Sequence, residues 1–232
     1  MRRKIGDYDI YALDDGYDYW SLVERFRLGE LSGSQVAGTS PKRKVFFIEH
    51  DGRTFVLKFA VNSHRSLESK LFAFLHGPLY ARSMKKINRA IEAGCGVVQR
   101  IYLAAEKMRG GLSRESIIVA EFVPGTPLDK MADLSAYRSQ VAGVVTEAHR
   151  YGLTVIDMHP GNFVATDEGL KLIDLTQRTS LAVGKARDLV RLRERWGVEV
   201  PARGLVERLL VFGAAIQSRL RRIADGKGDV KY

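Results

Sequence analysis

Residues 151–174 read YGLTVIDMHPGNFVATDEGLKLID. Asp157 and Asn162 stand five positions apart in Asp-Met-His-Pro-Gly-Asn, followed by a short apolar run, a turn, a second apolar run and Asp174. An acid, an amide and a second acid in that order are what transfer of a γ-phosphoryl group calls for. One carboxylate orients and deprotonates the attacking hydroxyl, while the amide and the second carboxylate hold a metal that bridges the phosphates. Phe163-Val-Ala165 and Leu170-Lys-Leu-Ile173 flank Thr166-Asp-Glu-Gly169, so a hairpin is expected that brings Asn162 and Asp174 to the same end. Asp, Asn, Pro and Gly also shape ordinary turns. The second acid beyond a hairpin is what lifts the set above that plainer reading.

Upstream, Tyr137, Val141, Val144, Ala148 and Tyr151 recur at helical spacing, with Ser135 placed to cap the start and Gly152 the end. This predicts a buried helix delivering the loop, on which His149 has a structural rather than a catalytic part. Strands are expected over Lys44–Glu49 and Thr54–Phe59, joined by a turn at His50–Arg53, and over Val97–Ala104 and Ser116–Phe122. In Phe55-Val-Leu-Lys58-Phe, a lysine among apolar residues needs an anion to be held there, and nucleotide phosphates would supply it. Glu68 is the one glutamate between Lys58 and Glu92 and is the candidate partner, on a helix through Leu67, Leu71 and Phe74. Gly33–Pro41 sits where a loop would cover phosphates but lacks Gly-x-Gly-x-x-Gly. A second helix is expected over Tyr80–Ala93, and two more, rich in arginine, over Lys185–Trp196 and Gly204–Ile223.

The 232 residues, 45% hydrophobic and 9% aromatic, suffice for one large domain or two small lobes with a packed core. Cys95 is the only cysteine, which excludes an internal disulfide and suits a reducing, cytoplasmic setting. The basic start Met1-Arg-Arg-Lys is followed by Asp7, Asp9, Asp14 and Asp15 rather than an apolar core, so no signal peptide is expected. Net charge is +10, and residues 171–232 contribute +7 of it, with 14 Lys and Arg against 7 Asp and Glu. That favours an anionic partner, whether nucleic acid, nucleotide phosphate or an acidic lipid surface, without choosing among them.

Taken together, the Lys58 strand, LAAEKMRGG from Leu103, IIVAEFVPG from Ile117, DMHPGNF from Asp157, LKLIDLT from Leu170 and KARDLVRLRERWG from Lys185 resemble the bacterial lipopolysaccharide core heptose(II) kinase family, within the protein-kinase-like superfamily. The resemblance implies an α+β, two-lobed fold. It assigns residues 1–30 to an N-terminal extension packing on the first lobe, 31–122 to a small antiparallel-sheet lobe and 123–232 to a mainly helical lobe. It implies ATP and Mg²⁺ as cofactors and a lipopolysaccharide core acceptor, with no nucleic acid partner. Peripheral contact with the cytoplasmic face of the inner membrane goes with that acceptor. Asp157 becomes the base, Asn162 and Asp174 the metal ligands, and Lys58 the phosphate ligand supported by Glu68. Backbone groups of Glu121 and Val123, beside Pro124-Gly125, would meet adenine at a hinge. Val155 stands where such kinases often carry a histidine, so support for the loop must come from elsewhere. The alternatives are an aminoglycoside-phosphotransferase-like kinase, which should offer an acidic groove to a cationic drug, and a RIO-like protein kinase.

Overall fold

A computed structural model describes residues 1–30, 34–40, 42–61, 78–110, 112–177, 180–202 and 204–225. The chain divides into two compact units, one of residues 1–89 and 100–122, the other of 90–99 and 123–232.

The first unit is built on a seven-stranded antiparallel sheet in the order β1-β2-β6-β7-β5-β4-β3. Its strands are β1 (Arg2–Ile5), β2 (Tyr8–Ala12), β3 (Ser34–Ser40), β4 (Arg43–His50), β5 (Arg53–Val61), β6 (Ile101–Arg109) and β7 (Leu112–Glu121). The N-terminal thirty residues thus contribute two strands, β1 and β2, to the sheet itself and a helix packed on it. Tyr8, Ile10 and Ala12 alternate inward from β2 with a strand's period of two, and β2 pairs along β6 from Tyr8 opposite Lys107 to Ala12 opposite Leu103. Helix α1 (Tyr19–Leu28) starts where the Asp18 carboxylate accepts from Trp20 and Ser21 N–H and stops at left-handed Gly29. It buries Tyr19, Leu22 and Val23 against Phe55, Leu57, Leu103 and Val119. Tyr19 stacks on Tyr102 with centroids 5.0 Å apart and meets Phe55 edge-on. Each fully buried side chain of this kind contributes about 1.5–3 kcal/mol, which is what fixes the N-terminal segment to the sheet.

Two sequence expectations shift here. Gly38 and its neighbours lie in strand β3, paired with β4 through two register shifts, where the sequence suggested a loop over phosphates. Residues 97–100 are not part of β6, which begins at Ile101 and runs on to Arg109. Val98 bridges Leu172 in the second unit, because Leu172 N–H donates to Val97 C=O (2.7 Å) and Gln99 N–H to Leu172 C=O (3.0 Å). Alternating apolar residues on either side of the crossing hid it.

Helix α2 (Leu79–Glu92) begins over β6, where the buried Glu106 Oε1 accepts from the N–H groups of Tyr80 and Ala81 at 2.8 and 3.0 Å. A carboxylate against a helix N-terminus meets unpaired N–H groups and the positive end of the helix dipole.

In the second unit, helix α3 (Arg138–Arg150) buries Val141, Val144, Val145 and Ala148. Ser135 does not cap it. Its hydroxyl and N–H are both taken by Asp133 Oδ1 within a short 3₁₀ turn, and Tyr137 occupies the capping position. Gly152, with φ of 78°, ends the helix as expected. A three-stranded sheet follows in the order β10-β9-β8, from β8 (Thr126–Pro127), β9 (Phe163–Thr166) and β10 (Gly169–Leu172). Gly125 lies ahead of it with φ of 149°, and a Cβ there would come 2.2 Å from Ala165 C=O, so only glycine fits. Helix α4 (Leu181–Arg191) passes into a π-helical turn, Leu192–Trp196, closed by left-handed Gly197. Helix α5 (Gly204–Asp225) then packs along α4.

Candidate active site

The β9–β10 hairpin sets the geometry. Its register pairs Phe163 with Leu172, and one step further Ile173 N–H donates to Asn162 C=O at 2.8 Å, so Asn162 and Asp174 emerge at the same end. The loop between α3 and β9 folds on itself: Asp157 Oδ1 accepts from His159 N–H (3.2 Å), and Asn162 Nδ2 donates to Asp157 C=O (3.3 Å). His159 Nδ1 accepts from Gly161 N–H at 3.0 Å, which leaves the ring proton on Nε2. Gly161 itself is crowded by the Asp129 carboxylate, which a Cβ would meet at 2.8 Å.

Backbone strain is concentrated at this place. Asp51, Ile156 and Asp174 are the non-glycine residues with positive φ among those described, and the last two, at 59° and 62°, flank the loop. For a β-branched residue such as Ile156 that conformation costs about 1–3 kcal/mol and persists only where the surroundings over-determine it.

The surroundings are supplied by Asp188 of α4. Its carboxylate is completely buried. It accepts from Val155 N–H and Ile156 N–H, both at 2.7 Å, and lies 2.9 Å from His149 Nε2 on α3. Asp188 therefore fixes the strained residue directly before Asp157 and ties it to the helix that delivers the loop. This is the support that Val155 cannot give, and His149 serves it as a structural residue. Two further contacts hold the remainder. Trp196 Nε1 donates to Met158 C=O at 3.1 Å beneath the loop, its ring edge-on to Phe163. Gln177 Oε1 accepts from Thr154 N–H and Oγ1, while Gln177 Nε2 donates to Thr154 C=O. The segment after Asp174, Leu-Thr-Gln, is thereby fastened to the entry of the loop, and Asp174 N–H reaches Gln99 Oε1 at 3.4 Å.

Asp157 is exposed and faces Arg195 Nη1 at 3.8 Å, a solvated pair that contributes little to stability but keeps a positive charge near the carboxylate. Lys58 is half-buried in the first unit, between Val45 of β4 and Ile118 of β7. By strand alternation it lies on the opposite sheet face from Phe55 and Leu57, which pack into the core. Glu121 ends β7; its N–H donates to Arg100 C=O and its carboxylate accepts from Arg100 N–H. Val123, the first residue after the sheet unit, is buried. Asp157, Asn162 and Asp174 are thus gathered in the second unit, Lys58 and Glu121 belong to the first, and Glu68 lies outside the described residues. Asp188, Trp196 and Gln177 were not singled out from sequence. Asp188 had one local signal, as the sole acid of α4, set on the buried side with Gly184 and Leu192.

A family model described as "Lipopolysaccharide core biosynthesis protein (WaaY)" matches residues 1–227. The chain belongs to this family. Within the WaaY family it is 23% identical over 224 residues to the lipopolysaccharide core heptose(II) kinase WaaY of Escherichia coli strain K12, covering 96% of this chain and 97% of that protein. A second protein of the same name from Escherichia coli is 22% identical over 192 residues, covering 82% and 84%. Among solved structures, WaaP in complex with acyl carrier protein is similar with a TM-score of 0.50 and 17% identity, over 92% of this chain and 91% of that one. The fold is the α+β protein-kinase-like one, with a sheet-based unit and a mainly helical unit.

Proposed function

We propose that the chain is an ATP-dependent kinase that phosphorylates a heptose of the lipopolysaccharide inner core, heptose II as in its named relatives. The observation that carries the reading is the hairpin that sets Asn162 beside Asp174 at the end of the loop holding Asp157. In the reaction the heptose hydroxyl oxygen forms a bond to the γ-phosphorus as the bond to the bridging oxygen of ATP breaks. The hydroxyl proton goes to Asp157, and ADP leaves. Asp157 is exposed enough to meet an acceptor, and its backbone is set by Asp188.

Mg²⁺ would neutralise charge building on the phosphate oxygens. The residues suit it. Asn162 uses its Nδ2 on Asp157 C=O, leaving Oδ1 to serve as a metal ligand, and Asp174 adds an exposed carboxylate, a partial oxygen set of the kind Mg²⁺ takes when phosphates and water complete its shell. Lys58 would meet the α and β phosphates, with Glu68 its candidate partner, and backbone groups of Glu121 and Val123 would meet adenine. The acceptor places the enzyme at the cytoplasmic face of the inner membrane; among the described residues no helix is long and apolar enough to cross a bilayer.

The test is transfer of labelled phosphate from ATP to lipopolysaccharide lacking the heptose phosphate, beside an aminoglycoside and a generic protein. Label is expected on the heptose region, and Asp157→Asn should lower turnover by about 10²–10⁴-fold. Label on the drug or the protein and never on the heptose would overturn the assignment.

A further inference from the structure

Helix α5 carries two apolar faces. At roughly 100° per residue, the half-buried Leu210, Val211, Ala214, Ala215 and Ser218 share one side, where Ser218 Oγ donates to Glu194 Oε2 at 2.8 Å. The opposite side presents Leu205, Leu209, Phe212, Ile216 and Leu220, which are 73%, 62%, 67%, 44% and 62% exposed. These are five of the nine large hydrophobic residues exposed among the described ones, gathered on one stripe instead of scattered. The stripe runs about 22 Å along the helix at 1.5 Å per residue.

We infer that this face of α5 docks on an anionic bilayer surface, with the five apolar side chains in the acyl boundary and the helix axis in the membrane plane. The charged residues along α5, which keep it from being apolar enough to cross a bilayer, and its opposite, packed face both exclude a spanning role, whereas an amphipathic helix lying in the interface needs this pattern of apolar stripe and cationic border. Arg208 and Arg219 are both exposed and lie on the same border of the stripe, roughly 60–80° from its centre at the helical step. There the aliphatic stems can lie along the apolar face while the guanidinium groups reach lipid phosphates. The same border argues against a second copy as the occupant. A two-fold antiparallel pairing of the stripes would set Arg208 of one copy beside Arg219 of the other, a like-charge contact repeated by symmetry. The choice of lipid rests on the proposed glycolipid acceptor, since an enzyme working on a membrane-anchored sugar gains local concentration by sitting on its membrane.

The experiment is co-sedimentation of the full chain with vesicles of phosphatidylethanolamine and phosphatidylglycerol, and with vesicles of phosphatidylcholine alone. The wild type should bind the anionic vesicles, and bind them less as salt rises. Leu209→Ser with Phe212→Ser should reduce that binding about tenfold or more while the thermal transition stays put, because both side chains are exposed. Arg208→Gln with Arg219→Gln, which leaves the apolar stripe intact, should reduce it by a smaller factor on anionic vesicles alone. No binding by the wild type, or equal binding by wild type and the Leu209/Phe212 variant, would overturn the docking. So would light scattering that shows a dimer lost in that variant with no vesicle binding. Transfer to delipidated core oligosaccharide separates the two readings. Its presence in both wild type and variant leaves the kinase standing whatever the vesicles show, and its absence in both would remove the kinase without touching the lipid result.

Discussion

Replacing Asp188 by Asn tests whether a buried carboxylate holds the loop in register. The two side chains have the same shape, so packing is preserved and only the hydrogen bonding changes. In the wild type both carboxylate oxygens are used, on Val155 N–H and Ile156 N–H at 2.7 Å and beside His149 Nε2 at 2.9 Å. The Asn amide offers one acceptor and turns a donor toward the other backbone N–H. One charge-assisted bond is lost, at about 1.5–3 kcal/mol, and two buried donors are left facing each other, adding about 1–3 kcal/mol. The sum is about 2.5–6 kcal/mol, which at about 2–4 °C per kcal/mol lowers Tm by about 5–24 °C. Ile156, no longer over-determined at φ of 59°, can relax toward negative φ and re-aim the next residue, Asp157. Misplacement of a reacting group by about 1 Å costs about 100-fold in rate. Circular dichroism melting gives the first quantity, and steady-state phosphotransfer well below the lower transition gives the second. The KM for ATP should move far less than kcat, because Lys58 and Glu121 belong to the other unit. A variant that melts within about 2 °C of wild type with unchanged kcat would refute the reasoning.

Asp174→Asn should weaken nucleotide binding measured with Mg²⁺ and leave binding measured with EDTA little changed; equal affinities under both conditions in both proteins would remove Asp174 from the metal set. Lys58→Met, which keeps the stem and removes the ammonium, should raise the KM for ATP and lower kcat without a change in Tm beyond a few degrees. Gly125→Ala should lower Tm sharply, since the new Cβ would press on Ala165 C=O at 2.2 Å in a backbone conformation with φ of 149°. Glu106→Gln should gain stability with rising pH relative to wild type. Burial raises the Glu106 pKa above its ordinary value, against the lowering by its hydrogen bonds. The stability it contributes is therefore present below the unfolded pKa and lost as pH climbs through the folded one. Gln keeps the acceptor that meets Tyr80 and Ala81, so the melting difference should vanish in acid; one that stays constant with pH would contradict the burial effect.

The parts of this molecule that could be read from sequence are those whose partners are near in the chain. The Thr166–Gly169 turn between two apolar runs announced the hairpin, and the hairpin announced which end Asn162 and Asp174 share. The spacing of Val141, Val144 and Ala148 announced α3. Where partners are distant, the sequence carried little. Asp188 lies more than thirty residues from the amides it accepts from, inside a run of arginines that reads as a solvated basic helix. Trp196 and Met158 pose the same difficulty at a separation of 38. The β2 strand was overlooked for a different reason: Tyr8, Ile10 and Ala12 do alternate, but Asp7, Asp9 and the tyrosines blur the contrast that period-two reading depends on. Ser135 misled because a hydroxyl ahead of a helix is a good cap only if nothing closer claims it, and Asp133 does.

The passage of residues 90–99 through the second unit bears on modularity. The chain crosses from one unit to the other at 89/90, at 99/100 and at 122/123, so no single cut separates them. A fragment beginning at Val123 would keep Asp157, Asn162 and Asp174 and yet lack Val97 and Gln99, whose backbone borders Leu172 and whose side chain reaches Asp174. The acid furthest along the loop is therefore seated by a segment synthesised some 75 residues earlier. Domain shuffling after Phe122 would deliver a helical unit with Asp174 unmoored, and a kinase of this design is inherited whole.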